Sequence, residues 1–70
     1  MDKIVENADE YIELNAFLKK NGIATTGGQA KNIIRSGEIL VNGNIETRNK
    51  KKLRENDVVE FNGKKYVVRL

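Results

Sequence analysis

Seventy residues, of which 39% are apolar and 33% are charged, provide for one small hydrophobic core and predict a single domain over residues 1–70. The sequence has no cysteine and no histidine, which excludes disulfide bridges and thiolate or imidazole metal sites and leaves carboxylates as the possible metal ligands. We expect no metal and no cofactor. No apolar run approaches the ~20 residues that span a bilayer, and residues 1–6 lack the apolar stretch of a secretory signal. These features predict a cytoplasmic protein without a membrane partner.

Charge is distributed unevenly along the chain. Five acids against one lysine give residues 1–18 a net charge of −4, whereas 12 basic against five acidic residues give residues 19–70 a net charge of +7. A strongly basic stretch is typical of proteins that bind polyanions, but it is equally compatible with an ordinary solvated surface. The spatial arrangement of the charges must decide between these two interpretations.

The first half of the chain predicts two helices. Before them, the apolar pairs Ile4-Val5 and Tyr11-Ile12 fit either edge strands or a tether. From Leu14 the apolar residues follow helical spacing, with Asn15 as the expected N-cap and Gly22 where a left-handed residue would end the helix. The pattern therefore predicts a first helix of about two turns.

The second helix has a clear start signal. Thr26 and Gln29 match a capping box, in which the threonine hydroxyl accepts from the Gln29 amide and the Gln29 side chain returns to Thr26. Gly37 is expected to end this helix, as a glycine ends the first. Lys31 and Arg35 lie four residues apart, opposite an apolar stripe, so they should face solvent or a ligand.

After the second helix the apolar period shortens to two, which predicts strands. Asn42-Gly43 between short strand-forming runs indicates a tight hairpin turn. Residues 48–56 have no period and predict a basic loop pinned by Leu53. Residues 57–68 predict a second hairpin with its turn at 62–64. The expected fold class is α+β: two short packed helices followed by a small antiparallel sheet of hairpins.

The order of these elements and their residues is distinctive. The residues that carry it are Leu14, Phe17, Leu18, Gly22, Ile23, Thr26, Ala30, Ile33, Ile34, Gly37, Ile39, Val41, Asn42, Gly43, Asp57 and Val59. This set, over roughly residues 11–61 after an acidic segment at 1–10, resembles the RNA-binding domain named after the fourth protein of the small ribosomal subunit, the alpha-L motif. Within that superfamily, residues 26–31, 46–48 and 52–53 are similar to the stand-alone bacterial YaaA-like proteins.

The resemblance implies that the helix pair and the first hairpin form one surface that docks onto structured RNA. Ribosomal RNA is then the expected ligand, and ribosome assembly or translation the expected process. Contacts with ribosomal proteins are compatible with it, and we expect a monomer. The residues expected on the RNA-binding surface are Thr25, Thr26, Gly27, Gly28, Gln29, Lys31, Arg35, Asn42, Arg48, Lys50, Lys51 and Lys52.

The start of the second helix gives a physical reason for phosphate binding. A helix start offers unpaired N–H groups and about half a positive charge, and Gly27 and Gly28 have no side chains to keep a phosphate away. Alternatively, the glycines only permit the turn and Thr26 only caps the helix. Lys31 and Arg35, one and two turns further on, favour the phosphate interpretation. Many family members carry an arginine in place of Gly27, so backbone amides would have to replace that contact.

The basic loop gives a second physical reason to expect phosphate binding. Residues 48–54 carry five positive charges within seven residues, and a loop tied to the helices by Leu53 would present them as a charged groove. The alternative is a solvated, mobile lysine run. Asn42 is first of all a turn former, and Asn56, which replaces the glycine usual in the family, tolerates left-handed backbone geometry.

Other functions receive less support from the residues. An enzyme is not expected, because the chain has no histidine or cysteine and no serine beside a plausible base. The main alternative is a protein-protein adaptor that uses the acidic N-terminal segment and an apolar edge strand near the carboxyl terminus. Double-stranded DNA binding lacks a long recognition helix. The two tyrosines are too few and scattered for a base-stacking platform, so recognition should rely on RNA shape and phosphates.

Overall fold

The computed structural model describes residues 10–70, so the predicted role of Ile4-Val5 and nearly all of the acidic segment lies outside the described residues. Both predicted helices are present: α1 is Leu14–Lys20 and α2 is Gly27–Arg35. None of the helices within residues 10–70 is long and apolar enough to cross a membrane.

The helix ends are set by glycines, as predicted. Gly22 follows α1 with a φ of +74°, and Gly37 follows α2 with a φ of +84°. Glycine adopts this left-handed backbone without a steric penalty, which is why it terminates helices so often. The prediction that Asn15 caps α1 was wrong, because Glu13 occupies the N-cap position and makes no side-chain capping bond.

Within residues 10–70, six short strands accompany the helices, in two antiparallel sheets. Their bounds are β1 Ile12–Glu13, β2 Leu40–Val41, β3 Asn44–Ile45, β4 Lys52–Leu53, β5 Val58–Phe61 and β6 Lys64–Val67. One sheet has the order β3-β2-β5-β6, and the other pairs β1 with β4. The α+β prediction of two helices followed by an antiparallel sheet of hairpins is confirmed.

Both predicted hairpins form. Asn42 (φ +51°) and Gly43 (φ +86°) join β2 to β3, and positive φ at both turn residues matches the right-handed twist of the strands. Asn62 and Gly63 join β5 to β6 in the same way. The second turn is one residue shorter than predicted, because Lys64 already pairs with Phe61 in the ladder.

The basic loop is more ordered than its sequence suggested. Residues 48–56 were expected to contain no strand, but Lys52–Leu53 forms β4 and pairs with β1 in the register Ile12↔Leu53 and Glu13↔Lys52. Leu53 has no exposed surface, which confirms it as the anchor of the loop. The segment around Ile12 is thus an edge strand, one of the two predicted alternatives.

One core joins the helices to both sheets. The buried apolar residues are Leu14, Phe17, Leu18, Ala24, Ala30, Ile34, Ile39, Val41, Leu53, Val59 and Val68. Phe17 is buried, and Phe61 is partly buried against the same cluster. Because Leu53 belongs to this cluster, the basic loop is attached to the core that holds the helices.

Candidate nucleic-acid interface

The basic loop is fastened to the start of α1. The Leu14 amide donates to the Lys51 carbonyl over 2.8 Å, and the Asn15 amide donates to the Asn49 carbonyl over 3.0 Å. The first amides of a helix have no carbonyl one turn earlier to bind, so loop carbonyls satisfy them in place of a capping side chain. The loop backbone is therefore held at two points before the chain reaches Leu53.

Four cationic residues of the fastened loop line a common hollow. This hollow has a volume of about 450 Å³ and is lined by Arg48, Lys50, Lys51 and Lys52. We name it the basic groove. All four were predicted to contribute to RNA binding, and the structure brings them together. Lys51 is partly buried and the other three are exposed, so the groove is a feature of the surface and not an enclosed cavity.

Arg48 is not an independent charge. Its Nε and a terminal nitrogen donate to the two carboxylate oxygens of Glu46 over 2.9 and 3.1 Å, and its backbone amide donates to the same carboxylate over 2.9 Å. This hydrogen bonding lowers the pKa of Glu46 from 4.5 to about 2 and raises the pKa of Arg48. The pair fixes the guanidinium in place and offsets part of its charge.

A second hollow, of about 440 Å³, continues from the loop to the turn of the first hairpin. It is lined by Val41, Asn42, Asn44, Glu46, Lys51, Lys52, Arg54 and Asp57. The shared residues Lys51 and Lys52 make it a neighbour of the basic groove. Asn42 thus lines the same hollow as Lys51 and Lys52.

The side chain of Asn42 has a structural role in this hollow. Its amide nitrogen donates to Asp57 over 3.1 Å, and its oxygen accepts from the Val58 amide over 2.9 Å. Asp57 also accepts from the Arg54 amide over 2.7 Å. Asn42 and Asp57 together therefore tie the first hairpin turn to the end of the basic loop.

The start of α2 shows the predicted cap with one difference. The Thr26 hydroxyl accepts from the Gln29 amide over 3.0 Å, as predicted. The Gln29 side chain does not return to Thr26. Its oxygen accepts instead from the amide and hydroxyl of Thr25, over 2.6 and 3.0 Å. The Thr25 amide is therefore already engaged and is not a free phosphate donor.

Gly27 and Gly28 remain open at this helix start. A Cβ added at either residue would meet nothing within 4 Å. Their amides are the first two of α2 and have no carbonyl one helical turn earlier. Lys31 and Arg35 are exposed on the same helix, as predicted. Neither of them lines the basic groove or the second hollow.

Two residues of this region were not among the predicted site residues. Arg54 lines the second hollow, and Tyr11 lies against Lys52 and Arg54. The signal for Arg54 was present in the sequence, since Leu53 points into the core and strand alternation places residues 52 and 54 on the opposite face. Tyr11 could not be placed without the pairing of β1 with β4. No group of three potential metal ligands occurs within residues 10–70.

Comparison with known proteins gives a consistent result. The sequence profile of the S4 domain family matches residues 5–69. The chain is 41% identical over 54 residues to the "Probable ribosome maturation protein RlbA" of Bacillus subtilis (strain 168), covering 77% of this chain and 76% of that protein. It is 38% identical over 53 residues to YbcJ of Escherichia coli (strain K12), named as a candidate RNA-binding protein, covering 76% of each.

Proposed function

This chain belongs to the S4 domain family, and from that premise we propose that it binds structured RNA without catalysing a reaction. The observation that carries the proposal is the basic groove, in which four cationic residues of one loop line a common hollow. Cations that neutralise phosphates release condensed counterions, and this release drives sequence-independent binding to nucleic acid.

The groove is suited to phosphate because its backbone is fixed before a ligand arrives. Hydrogen bonds from α1 hold the carbonyls of Asn49 and Lys51, and the buried Leu53 holds the next turn. A mobile lysine run would lose conformational entropy on binding, whereas a fastened loop loses less. This favours the groove interpretation over the solvated loop.

We further propose that α2 contributes a second row of phosphate contacts. Gly27, Lys31 and Arg35 are spaced four residues apart, so they lie along one side of the helix. Over that spacing the helix rises roughly 12 Å, from open amides at its start to a guanidinium near its end. We propose that this row and the basic groove contact the same RNA.

We propose ribosomal RNA as the ligand and ribosome assembly as the process. Support comes from the relative named as a ribosome maturation protein, which matches three quarters of this chain. The residues that line the two hollows include lysine, arginine, asparagine and acids but no aromatic residue. Such side chains suit phosphate and sugar contacts better than sequence-specific base contacts. We place such a protein in the cytoplasm, where ribosomes mature, and propose that it acts as a monomer.

The proposal can be tested by titrating ribosomal RNA fragments at several salt concentrations. Replacing Lys50 and Lys52 with alanine should weaken binding and reduce the slope of log affinity against log salt by about 2. The matched control replaces Lys64 and Lys65, which removes the same charge from the β5–β6 hairpin. Lys64 lies beside Asn21 at the far end of α1 from the basic loop.

The outcome also separates the proposal from the protein-adaptor alternative. The adaptor would use edge strand β6, where Val67 is 44% exposed, together with the acidic N-terminal segment. Binding that is absent at low salt, or that does not respond to salt, would contradict RNA binding and favour the adaptor. Equal losses in both double variants would show that net charge, and not the basic groove, determines affinity.

A further inference from the structure

Tyr11 is an exposed aromatic side chain with two cations close to its ring. The residue is 43% exposed, although a tyrosine side chain carries a large apolar ring. The Lys52 Nζ lies 4.8 Å from the ring centroid, and the Arg54 guanidinium carbon lies 5.5 Å from it. Both distances fall within the range of cation–π contacts.

The β1–β4 ladder creates this arrangement. Ile12 pairs with Leu53, and both side chains pack toward the core. Because successive side chains of a strand point to opposite faces, the residues on either side of this pair face outward. Tyr11 thereby lies across from Arg54 and diagonally from Lys52. The Arg54 guanidinium also donates to the Glu10 carbonyl over 3.1 Å, beside the ring.

The ring is placed next to the proposed phosphate-binding surface. Lys52 lines the basic groove and the second hollow, and it also contacts Tyr11. A phosphate bound by Lys52 would therefore bring its own nucleotide beside the ring. Lys52 is exposed, so its ammonium can turn from the ring to a phosphate and uncover the part of the ring that it lies over.

We propose that Tyr11 is a stacking site for one unpaired RNA base at the edge of the basic groove. The inference rests on the proposed function and adds a subsite to it. A nucleobase fits because it is flat, and because it is joined to the phosphate that Lys52 would hold. One ring stacks one base and accepts any of the four, since each has a π-face. The subsite thus selects unpaired nucleotides over duplex and does not select a sequence.

Two RNA hairpins test this subsite in the full chain. Each stem is closed by a linker without bases, so that one hairpin is fully paired and the other differs only by a single unpaired uridine in the same stem. Replacing Tyr11 with leucine keeps apolar bulk but removes the ring, and should weaken binding of the bulged hairpin by about 5- to 100-fold. Binding of the paired hairpin should stay the same. Tyr11→Phe is the matched control, which retains the ring and should bind both RNAs like the unchanged protein.

A second measurement uses the unchanged ring and needs no loss of binding. The chain has no tryptophan and two tyrosines, so in the Tyr66→Phe variant the tyrosine emission comes from Tyr11. Adding the bulged hairpin should quench this emission. The same hairpin lacking only the unpaired base should bind through its phosphates without comparable quenching.

The outcomes distinguish this subsite from the function on which it rests. If Tyr11→Leu binds both hairpins with unchanged affinity, or weakens both equally, the stacking site is overturned while RNA binding stands. Equal quenching by the hairpin with and without the unpaired base would also overturn it. If the unchanged protein binds neither hairpin in a salt-dependent manner, the proposed function fails and the subsite fails with it.

Discussion

The amide of Leu14 donates to the carbonyl of Lys51 over 2.8 Å, across 37 positions of sequence. Leu14 is fully buried at the start of α1, whereas Lys51 contributes its side chain to the basic groove. One residue thus belongs to the core and the other to the candidate site. Core packing and groove geometry are coupled through this bond and its neighbour from Asn15 to Asn49.

Leu53 should be important for stability, because it anchors the basic loop in the core. Truncating it to alanine leaves a cavity and should lower the free energy of unfolding by about 2 to 5 kcal/mol, measured by urea denaturation. Leu53→Met conserves volume and should cost less than about 1.5 kcal/mol. A loss as small for alanine as for methionine would contradict the role of Leu53 as an anchor.

The Thr26 cap should contribute to stability through a single hydrogen bond. Thr26→Ala removes the acceptor of the Gln29 amide and should lower the free energy of unfolding by about 1 kcal/mol in thermal or urea unfolding. Thr26→Ser keeps the hydroxyl and should restore most of that stability. If serine were as destabilising as alanine, the threonine methyl group and not the cap would account for the effect.

Glu46 should make stability depend on pH in the acid range. Its pKa is about 2 in the folded protein and ordinarily 4.5, so the unfolded chain binds the proton more readily. The stabilisation by this carboxylate is therefore complete above pH 4.5 and is lost as pH falls toward 2. Urea unfolding at a series of pH values should show a smaller decline for Glu46→Gln than for the unchanged protein. Parallel declines would refute the contribution of the Arg48 pair.

Lys31 and Arg35 should affect RNA binding without affecting stability. Both are exposed, so replacing them together with alanine should change the free energy of unfolding by less than about 0.5 kcal/mol. Binding of ribosomal RNA fragments should weaken, with the salt slope reduced by about 2. The pair Lys19 and Lys20, exposed in the last turn of α1, provides a control of equal charge. A large drop in melting temperature would instead assign Lys31 and Arg35 a structural role.

Gly28 tests the start of α2 in the same binding assay. Its Cβ position is open and its φ does not require glycine, so Gly28→Glu should fold normally. A carboxylate there would repel a phosphate near the first amides of the helix and weaken RNA binding. Gly28→Ala is the uncharged control and should bind nearly as well as the unchanged chain. Equal affinity of the glutamate and alanine variants would remove the phosphate site at this helix start.

Local sequence determined the helices, their glycine ends and both hairpin turns. These features depend on neighbouring residues. Gly22 and Gly37 adopt a positive φ where each helix ends, and Asn42-Gly43 prefers the backbone of a tight turn. The burial of Leu53 could also be predicted, because it is the one apolar residue in a charged stretch.

Only the tertiary structure decided how distant segments meet. Asn15 has a typical capping side chain, yet the carbonyls of a loop more than thirty residues away satisfy the α1 amides. The pairing of Ile12 with Leu53 likewise placed Tyr11 beside Lys52, a contact that no local pattern contains. Helix and turn preferences act over a few residues, whereas strand register and loop docking depend on which surfaces the collapsed core brings together. That is why the sequence could show which loop residues are cationic, whereas the fold decided which of them line a common groove.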